Sequence, residues 1–99
     1  MVREIVWNKK AITSLDEILG HLEEYHSESA AEDFVRKVFA LIEKLRRYPE
    51  IGRRTKIKKT VRQYKVDKSR KLYYRKYGRK LIIVHFFDER RNPKLNPYN

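Results

Sequence analysis

The sequence predicts an α+β fold in which a short N-terminal strand, an antiparallel helical hairpin and three further strands form one antiparallel sheet, with both helices on one face. In the first half, apolar residues recur at three- and four-residue steps over two segments, a pattern typical of amphipathic helices. The second half has short apolar and β-branched runs separated by turn residues, as strands do. The 99 residues fit a single domain, residues 1–99, with room for one core.

The first predicted strand, residues 2–7, has an alternating pattern and ends at Trp7. Asn8 is a suitable N-cap, because its side-chain oxygen can accept a hydrogen bond from an early helical N–H. The helix that follows covers about residues 9–25, and Gly20 weakens it by roughly 1 kcal/mol relative to alanine. Its apolar stripe consists of Ile12, Leu15, Ile18, Leu19, Leu22 and Tyr25.

A second helix begins at a capping box formed by Ser29 and Glu32. Pro49 ends it, and Gly52 follows in a turn. Its stripe consists of Ala31, Phe34, Val35, Val38, Phe39, Ile42, Leu45 and Tyr48. The connection between the helices is very short, so they must lie antiparallel. Neither can bury its stripe fully on the other, so both need a sheet to cover.

The second half supplies that sheet. Its predicted elements are a basic loop at 53–60, strands at 61–67, 72–77 and 81–87, and an irregular tail from Asn92. Gly78 and Arg79 are expected to form a two-residue hairpin turn between the last two of these strands. Residues 81–87 are apolar apart from His85, so they are expected to form a central strand that is buried over most of its length.

Composition excludes several classes of site. The chain has no cysteine, which excludes disulfides, thiolate metal sites and cysteine nucleophiles. Its 3 glycines form no phosphate-cradling loop. His21 and His26 lie five residues apart on one helix, about 140° apart around its axis, and cannot share a metal. No cofactor and no metal are therefore expected. No apolar run approaches the roughly 18 residues of a membrane span, and we expect a cytoplasmic protein without membrane contact.

The charge of the chain is strongly asymmetric. Residues 1–52 carry 8 Lys and Arg against 10 Asp and Glu, a net charge of −2, whereas residues 53–99 carry 17 against 3, a net charge of +14. Basic residues concentrated in one half favour a polyanionic partner, with RNA or DNA first and an acidic protein second. The residues expected to bind nucleic acid are Arg53, Arg54, Lys56, Lys58, Lys59, Arg62, Arg70, Arg75 and Arg90.

Four features follow one another in an informative order. They are Trp7 before a helix with Ala11, a hairpin closing on residues 48–53, the basic strand start at residues 70–75, and the apolar strand leading into residues 88–93. In this order the chain resembles toxins of the RelE/ParE superfamily, the toxic half of bacterial type II toxin–antitoxin pairs. The resemblance implies a cognate antitoxin, here expected to be acidic and neutralising, encoded beside the toxin.

The resemblance also implies one of two activities. RelE-like members are endoribonucleases that cut messenger RNA on the ribosome, and ParE-like members inhibit DNA gyrase through protein contact. We expect the former, a ribosome-dependent and metal-independent endoribonuclease, with gyrase inhibition as the alternative. A non-catalytic basic module that binds nucleic acid is a third hypothesis.

Metal-free RNA cleavage requires a base for the 2′-OH, cations for the phosphate and an acid for the leaving oxygen. The resemblance to RelE-like enzymes assigns these roles by position. Lys65 would help to remove the proton, Lys71 and Arg91 would hold the phosphate, and Tyr98 or His85 would assist the leaving group. Arg70 is the neighbour of Lys71 at its position, and Arg90 is the alternative to Arg91.

Three observations favour the ParE-like alternative. Asp67 stands where several RelE-like enzymes carry a second Lys. Lys71 replaces an Arg and lacks the planar fork for bidentate phosphate binding. The long helical hairpin and its closure from Tyr48 to Arg53 also look more ParE-like. Each candidate has a structural interpretation as well. A core role is favoured for His85, and a flexible terminal position for Tyr98.

Overall fold

The computed structural model describes residues 2 and 4–98, and these confirm the predicted α+β class. The elements in chain order are β1 (Glu4–Trp7), α1 (Lys9–Tyr25), α2 (Glu28–Arg47), β2 (Arg53–Arg54), β3 (Arg62–Lys65), β4 (Arg70–Tyr77), β5 (Lys80–Asp88) and a short 3-10 turn (Pro93–Leu95). The turn lies in the tail that was expected to be irregular.

The five strands form one sheet in the order β1-β5-β4-β3-β2. The last four strands are antiparallel to their neighbours, but β1 runs parallel to β5, with Glu4 opposite Lys80 and Trp7 opposite Ile83. The predicted four-stranded, wholly antiparallel sheet is therefore corrected to a five-stranded mixed sheet.

The two-residue strand β2 explains the change in direction. It lies inside the segment 53–60 that was predicted to be a loop, and it pairs with β3. The connections between successive elements are short, so the chain roughly reverses direction at each of them. Six reversals between β1 and β5 leave these two strands parallel, whereas the five reversals expected without β2 would have left them antiparallel.

The helix bounds are close to the predictions, but the capping of α2 differs. Ser27 is its N-cap, and its Oγ accepts a hydrogen bond from the Ala30 N–H at 3.0 Å. The capping box at Ser29 was wrong, because Ser29 already lies within the helix. The helix ends at Arg47, before Pro49, since the residue preceding a proline disfavours helical backbone.

The buried faces of both helices are narrower than the predicted stripes. The exposed fraction is 49% for Ile12, 66% for Tyr25, 57% for Phe39 and 59% for Tyr48, so these four do not belong to the core. In α1 the small residues Ala11 and Ser14 are buried instead, together with Ile18 and Leu22. Small side chains at the contact allow the helix axis to approach the sheet closely.

The sheet separates two apolar clusters. The larger cluster, between sheet and helices, includes Leu72, Tyr74, Leu81, Ile83 and Phe86. On the opposite face a smaller cluster comprises Val61, Tyr73, Val84, Phe87 and Tyr98. The predicted hairpin turn at residues 78–79 is confirmed: Tyr77 pairs with Lys80, and Gly78 has a φ of +60°.

Candidate functional site

Lys65 and Lys71 lie side by side on the sheet face opposite the helices. They are register partners in β3 and β4, so their side chains leave the sheet on the same face. Both line a cavity of about 460 Å³, together with Arg53 and Gln63. Lys65 is exposed, whereas the Lys71 Nζ is 3.0 Å from a carboxylate oxygen of Glu89. The positive charge of Lys71 is therefore already partly neutralised.

Arg91 lines a different cavity, of about 610 Å³, between α1 and the second half of β5. Its guanidinium is 3.6 Å from the carboxylate of Glu17 on α1, and both side chains are exposed. The polar residues that line this cavity are Ser14, Glu17, His21, His85, Asp88 and Arg91. It shares no lining residue with the cavity beside Lys65.

His85 lies on β5 opposite Tyr73, with the two ring centroids 6.3 Å apart. Among the residues described, none forms a hydrogen bond with its buried Nδ1. Burial lowers the pKa of His85, the charges of Lys10 and Arg91 lower it further, and Glu17 opposes them. The imidazole is therefore neutral at neutral pH.

Tyr98 is anchored, which corrects the expectation of a flexible terminal residue. Its side chain is 6% exposed and stacks on Tyr73 with centroids 4.7 Å apart. Asn96 secures this arrangement, because its Nδ2 donates to the Tyr73 hydroxyl at 2.8 Å and its Oδ1 accepts from the Tyr98 N–H at 3.0 Å. Burial raises the pKa of Tyr98, with a smaller contribution from Tyr73, so the phenol is a weaker acid than in water.

The five predicted catalytic side chains therefore divide into two groups. Lys65 and Lys71 lie beside one cavity, while His85 and Arg91 line the other, with Tyr98 stacked near His85. Two of the three cations face a carboxylate. In this arrangement the first group could attract an anion, and the second offers a neutral imidazole beside a buried phenol.

Two of the arginines expected to bind nucleic acid form ion pairs with carboxylates near the end of β5. Arg70 is buried, pairs with Asp67 at 3.2 Å and Asp88 at 3.4 Å, and lies over the ring of Phe34. Arg90 forms two hydrogen bonds with Asp88, at 3.0 and 2.8 Å. Burial would raise the pKa of Asp88, but these hydrogen bonds and the charges of both arginines outweigh it and hold the pKa below its ordinary value.

Three more of these arginines contact their own chain. Arg62 donates to the carbonyls of Glu50 and Gly52, at 3.0 and 2.8 Å. Arg54 donates to the Lys59 carbonyl at 2.8 Å, and the Arg75 guanidinium is 5.5 Å from the centroid of the Tyr77 ring. The remaining members of the set are exposed: Arg53, Lys56, Lys58 and Lys59.

Sequence reasoning missed several residues that shape these surfaces. Gln63 shares a face with Lys65 through the two-residue period of β3, a signal that was available. Ser14 and Asn96 had no such signal, since one is polar within an apolar face and the other lies in the tail. Ser14 Oγ accepts a hydrogen bond from the Phe86 N–H at 3.0 Å and so joins α1 to the edge of β5.

The described part of the chain lacks two kinds of feature. No helix there is long and apolar enough to cross a membrane. Across residues 2 and 4–98, no group of three or more His, Cys, Asp or Glu side chains is arranged to hold a metal ion.

Comparison with known proteins identifies relatives of this fold. A family model described as the ParE toxin of the type II toxin–antitoxin system parDE matches residues 5–93. The fold is similar to a structure titled as the chromosomal ParDE TA system from P. aeruginosa, with a TM-score of 0.74 and 18% identity over 88% of this chain and 96% of that one. It is also similar to a YoeB/ParE toxin from Agrobacterium tumefaciens, with a TM-score of 0.64 and 15% identity over 87% of this chain and 98% of that one. No curated protein sequence matches the chain significantly.

Proposed function

Since the chain belongs to the ParE toxin family of type II toxin–antitoxin systems, we propose that it acts as ParE-like toxins do, by binding DNA gyrase, and that it has no nuclease activity of its own. The nuclease expectation drawn from the sequence becomes the second candidate. The observation that carries the proposal is the division of the five predicted catalytic side chains between two cavities with no lining residue in common.

Cleavage of a single phosphodiester needs base, cations and acid around the same phosphorus. Lys65 lines one cavity and Arg91 the other, and no residue lines both, so this arrangement does not gather the two cations around one site. The pair between Arg91 and Glu17 is exposed and worth little by itself. The separate cavities of Lys65 and Arg91 therefore support the proposal more strongly than the neutralisation of Arg91 by Glu17 does.

The two candidate acids support the same conclusion. Tyr98 is buried against Tyr73, and its raised pKa makes proton donation at neutral pH harder. His85 is neutral because its pKa is lowered, and a neutral imidazole is a poor proton donor. Neither group fits the role of leaving-group acid.

One observation favours the nuclease. Lys65, Lys71 and Arg53 line the same cavity, and three cations around one depression attract phosphate. If RNA displaced Glu89 from Lys71, two of the required functions would be present at one place. A direct assay therefore has to separate the two activities.

The family pairs each toxin with an antitoxin. We propose that the antitoxin of this chain is acidic and partly disordered, and that it folds on binding to the basic half. An acidic partner complements the net charge of +14 carried by residues 53–99.

The deciding experiment applies one preparation of the toxin to two assays. The first measures supercoiling of relaxed plasmid by DNA gyrase, and the second measures cleavage of messenger RNA on programmed ribosomes. We expect inhibited supercoiling and intact message. Cut message with normal supercoiling would overturn the proposal, and Lys65→Ala and Arg91→Ala would then show which cavity holds the chemistry.

A further inference from the structure

Six exposed cations lie at one end of the sheet. The register places Arg62 opposite Tyr74 and Tyr77 opposite Lys80, so the loop before β3 runs beside the last residues of β4. The loop at 55–61 and the hairpin turn at 76–80 therefore project from the same end. Their cations, here called the basic end, are Lys56, Lys58, Lys59, Lys76, Arg79 and Lys80.

The acidic residues of this half lie at the other end. Residues 53–99 contain three of them, Asp67, Asp88 and Glu89. Each is paired with a cation near the β3–β4 turn or the end of β5. Among the ion pairs of residues 2 and 4–98, none involves a member of the basic end. Even Glu4, opposite Lys80 in the register, forms no such pair.

The loop that carries three of these lysines is held by its own hydrogen bonds. Thr55 is 2% exposed, and its Oγ1 donates to the Lys58 carbonyl at 2.5 Å while its N–H donates to the Val61 carbonyl at 2.9 Å. The Val61 N–H donates back to the Lys58 carbonyl, and Arg54 binds the Lys59 carbonyl. A buried polar side chain thus fixes the loop backbone, so that the lysine side chains are presented to solvent from an ordered segment.

We propose that the basic end binds the phosphate backbone of duplex DNA. Neighbouring strands of a sheet are about 4.8 Å apart, so the β2–β3 loop and the β4–β5 hairpin are centred roughly 10 Å apart, about the length of three phosphates along one DNA strand. Like charges that form no ion pair with acidic side chains repel one another, and a line of phosphates relieves that repulsion.

The side chains favour a duplex over unpaired RNA and over an acidic protein. Binding of unpaired bases depends on exposed aromatic faces on which they stack. Tyr77 is the one aromatic residue of the two segments, and the guanidinium of Arg75 lies over its ring. Exposed apolar residues that could anchor a protein are limited to Ile57 and Tyr77 in these segments. Point charges on an ordered loop suit a backbone that needs no base contact.

This binding goes beyond the proposed inhibition of gyrase and does not depend on it. It can be measured with toxin and nucleic acid alone, so failure of one proposal leaves the other standing. The probe is a fluorescently labelled DNA duplex of about 20 base pairs, long enough to offer several successive phosphates on each strand. The readout is fluorescence anisotropy at a series of salt concentrations. Single-stranded RNA of the same length and polyglutamate serve as competitors.

Two triple variants test the two segments independently. They are Lys56→Ala with Lys58→Ala and Lys59→Ala, and Lys76→Ala with Arg79→Ala and Lys80→Ala. The control removes three exposed cations from elsewhere: Lys9→Ala, Lys37→Ala and Lys94→Ala. We expect each triple variant to weaken duplex binding about tenfold or more, and to reduce the salt slope by about 0.9 for each phosphate that the variant no longer neutralises. The control should stay within about twofold of the unsubstituted chain.

Thermal unfolding of each variant verifies that the fold is intact, and the two segments provide independent tests if one substitution disturbs its loop. Equal weakening by the control would overturn the proposal, because binding would then follow net charge alone. Stronger competition by RNA or polyglutamate than by unlabelled duplex would also overturn it, in favour of that other partner.

Discussion

The phenol oxygen of Tyr74 lies against the backbone of Gly52 and accepts a hydrogen bond from its N–H at 2.9 Å. The same hydroxyl donates to the Pro49 carbonyl at 2.8 Å, and the Tyr74 side chain is fully buried. A core tyrosine on β4 thus closes the turn that follows α2. A Cβ on Gly52 would overlap this phenol and would stand 2.9 Å from the Gln63 carbonyl, so the turn requires glycine.

We predict opposite effects for two glycine substitutions. Gly52→Ala should lower the free energy of unfolding by about 1–3 kcal/mol, because backbone and a buried ring must move. Gly20→Ala is the matched control, because no atom lies within 4 Å of the added Cβ, and it should raise the free energy of unfolding by about 0.5–1 kcal/mol. Urea unfolding measures both. Equal effects of the two substitutions would show that the contact between Tyr74 and Gly52 does not decide the cost.

Ser14→Ala should lower the free energy of unfolding by about 1–3 kcal/mol. It removes the acceptor of the buried Phe86 N–H, and a buried donor left without a partner is costly. Thr13→Ala, one residue away and exposed, should change stability by less than about 0.5 kcal/mol. Chemical denaturation compares the two. A small effect of Ser14→Ala would mean that another group or water replaces the serine hydroxyl.

His85 should make stability fall at mildly acidic pH. In the unfolded chain the imidazole takes up a proton near pH 6.5, whereas burial lowers its pKa in the folded protein. The stability contributed by the neutral imidazole is therefore complete well above about pH 6.5 and is lost as the pH falls from that value to the lowered pKa of the folded protein. His85→Phe removes the titrating group and should flatten the profile between about pH 7 and the lowered pKa. Unfolding curves at several pH values check this, with the exposed His21→Gln as control. If the dependence of stability on pH is unchanged in His85→Phe, the loss of stability at acidic pH belongs to another titrating group.

Two substitutions of Tyr98 separate packing from chemistry. Tyr98→Phe keeps the stack on Tyr73 and should leave both stability and growth arrest unchanged, because the proposed function uses no phenol proton. Tyr98→Ala should cost about 2–4 kcal/mol by opening the smaller apolar cluster. Thermal unfolding and growth after induction are the measurements. Loss of growth arrest in a stable Tyr98→Phe protein would restore the nuclease hypothesis.

Local sequence patterns determined most elements of the fold. The bounds of α1 and the buried run of β5 follow from apolar periodicity, and the turn at Gly78 follows from residue type, as the structure confirms. These features depend on neighbours within one turn or one strand, so their causes are contained in short segments. The family resemblance was also recognisable, because it depends on the order of such segments.

The direction of β1 depended on the tertiary structure. Strand β2 has two residues, and it exists only because Arg53 and Arg54 pair with Gln63 and Arg62. No local pattern marks so short a strand, yet its presence reverses the chain once more. Which helix residues are buried was likewise decided by packing, since Ala11 and Ser14 allow the close approach that Ile12 does not.

The role of each cation could not be determined from the sequence either. Arg70 and Lys56 are equivalent as residues in a basic half, but Arg70 is buried between two carboxylates and Lys56 is exposed on a loop. The difference arises because the register sets Arg70 opposite Asp88, a residue far along the chain on the neighbouring strand. The sequence by itself therefore determined the charge composition, whereas strand pairing decided which charges lie near one another. The reason is that electrostatic interaction depends on distance in space and not on distance along the chain.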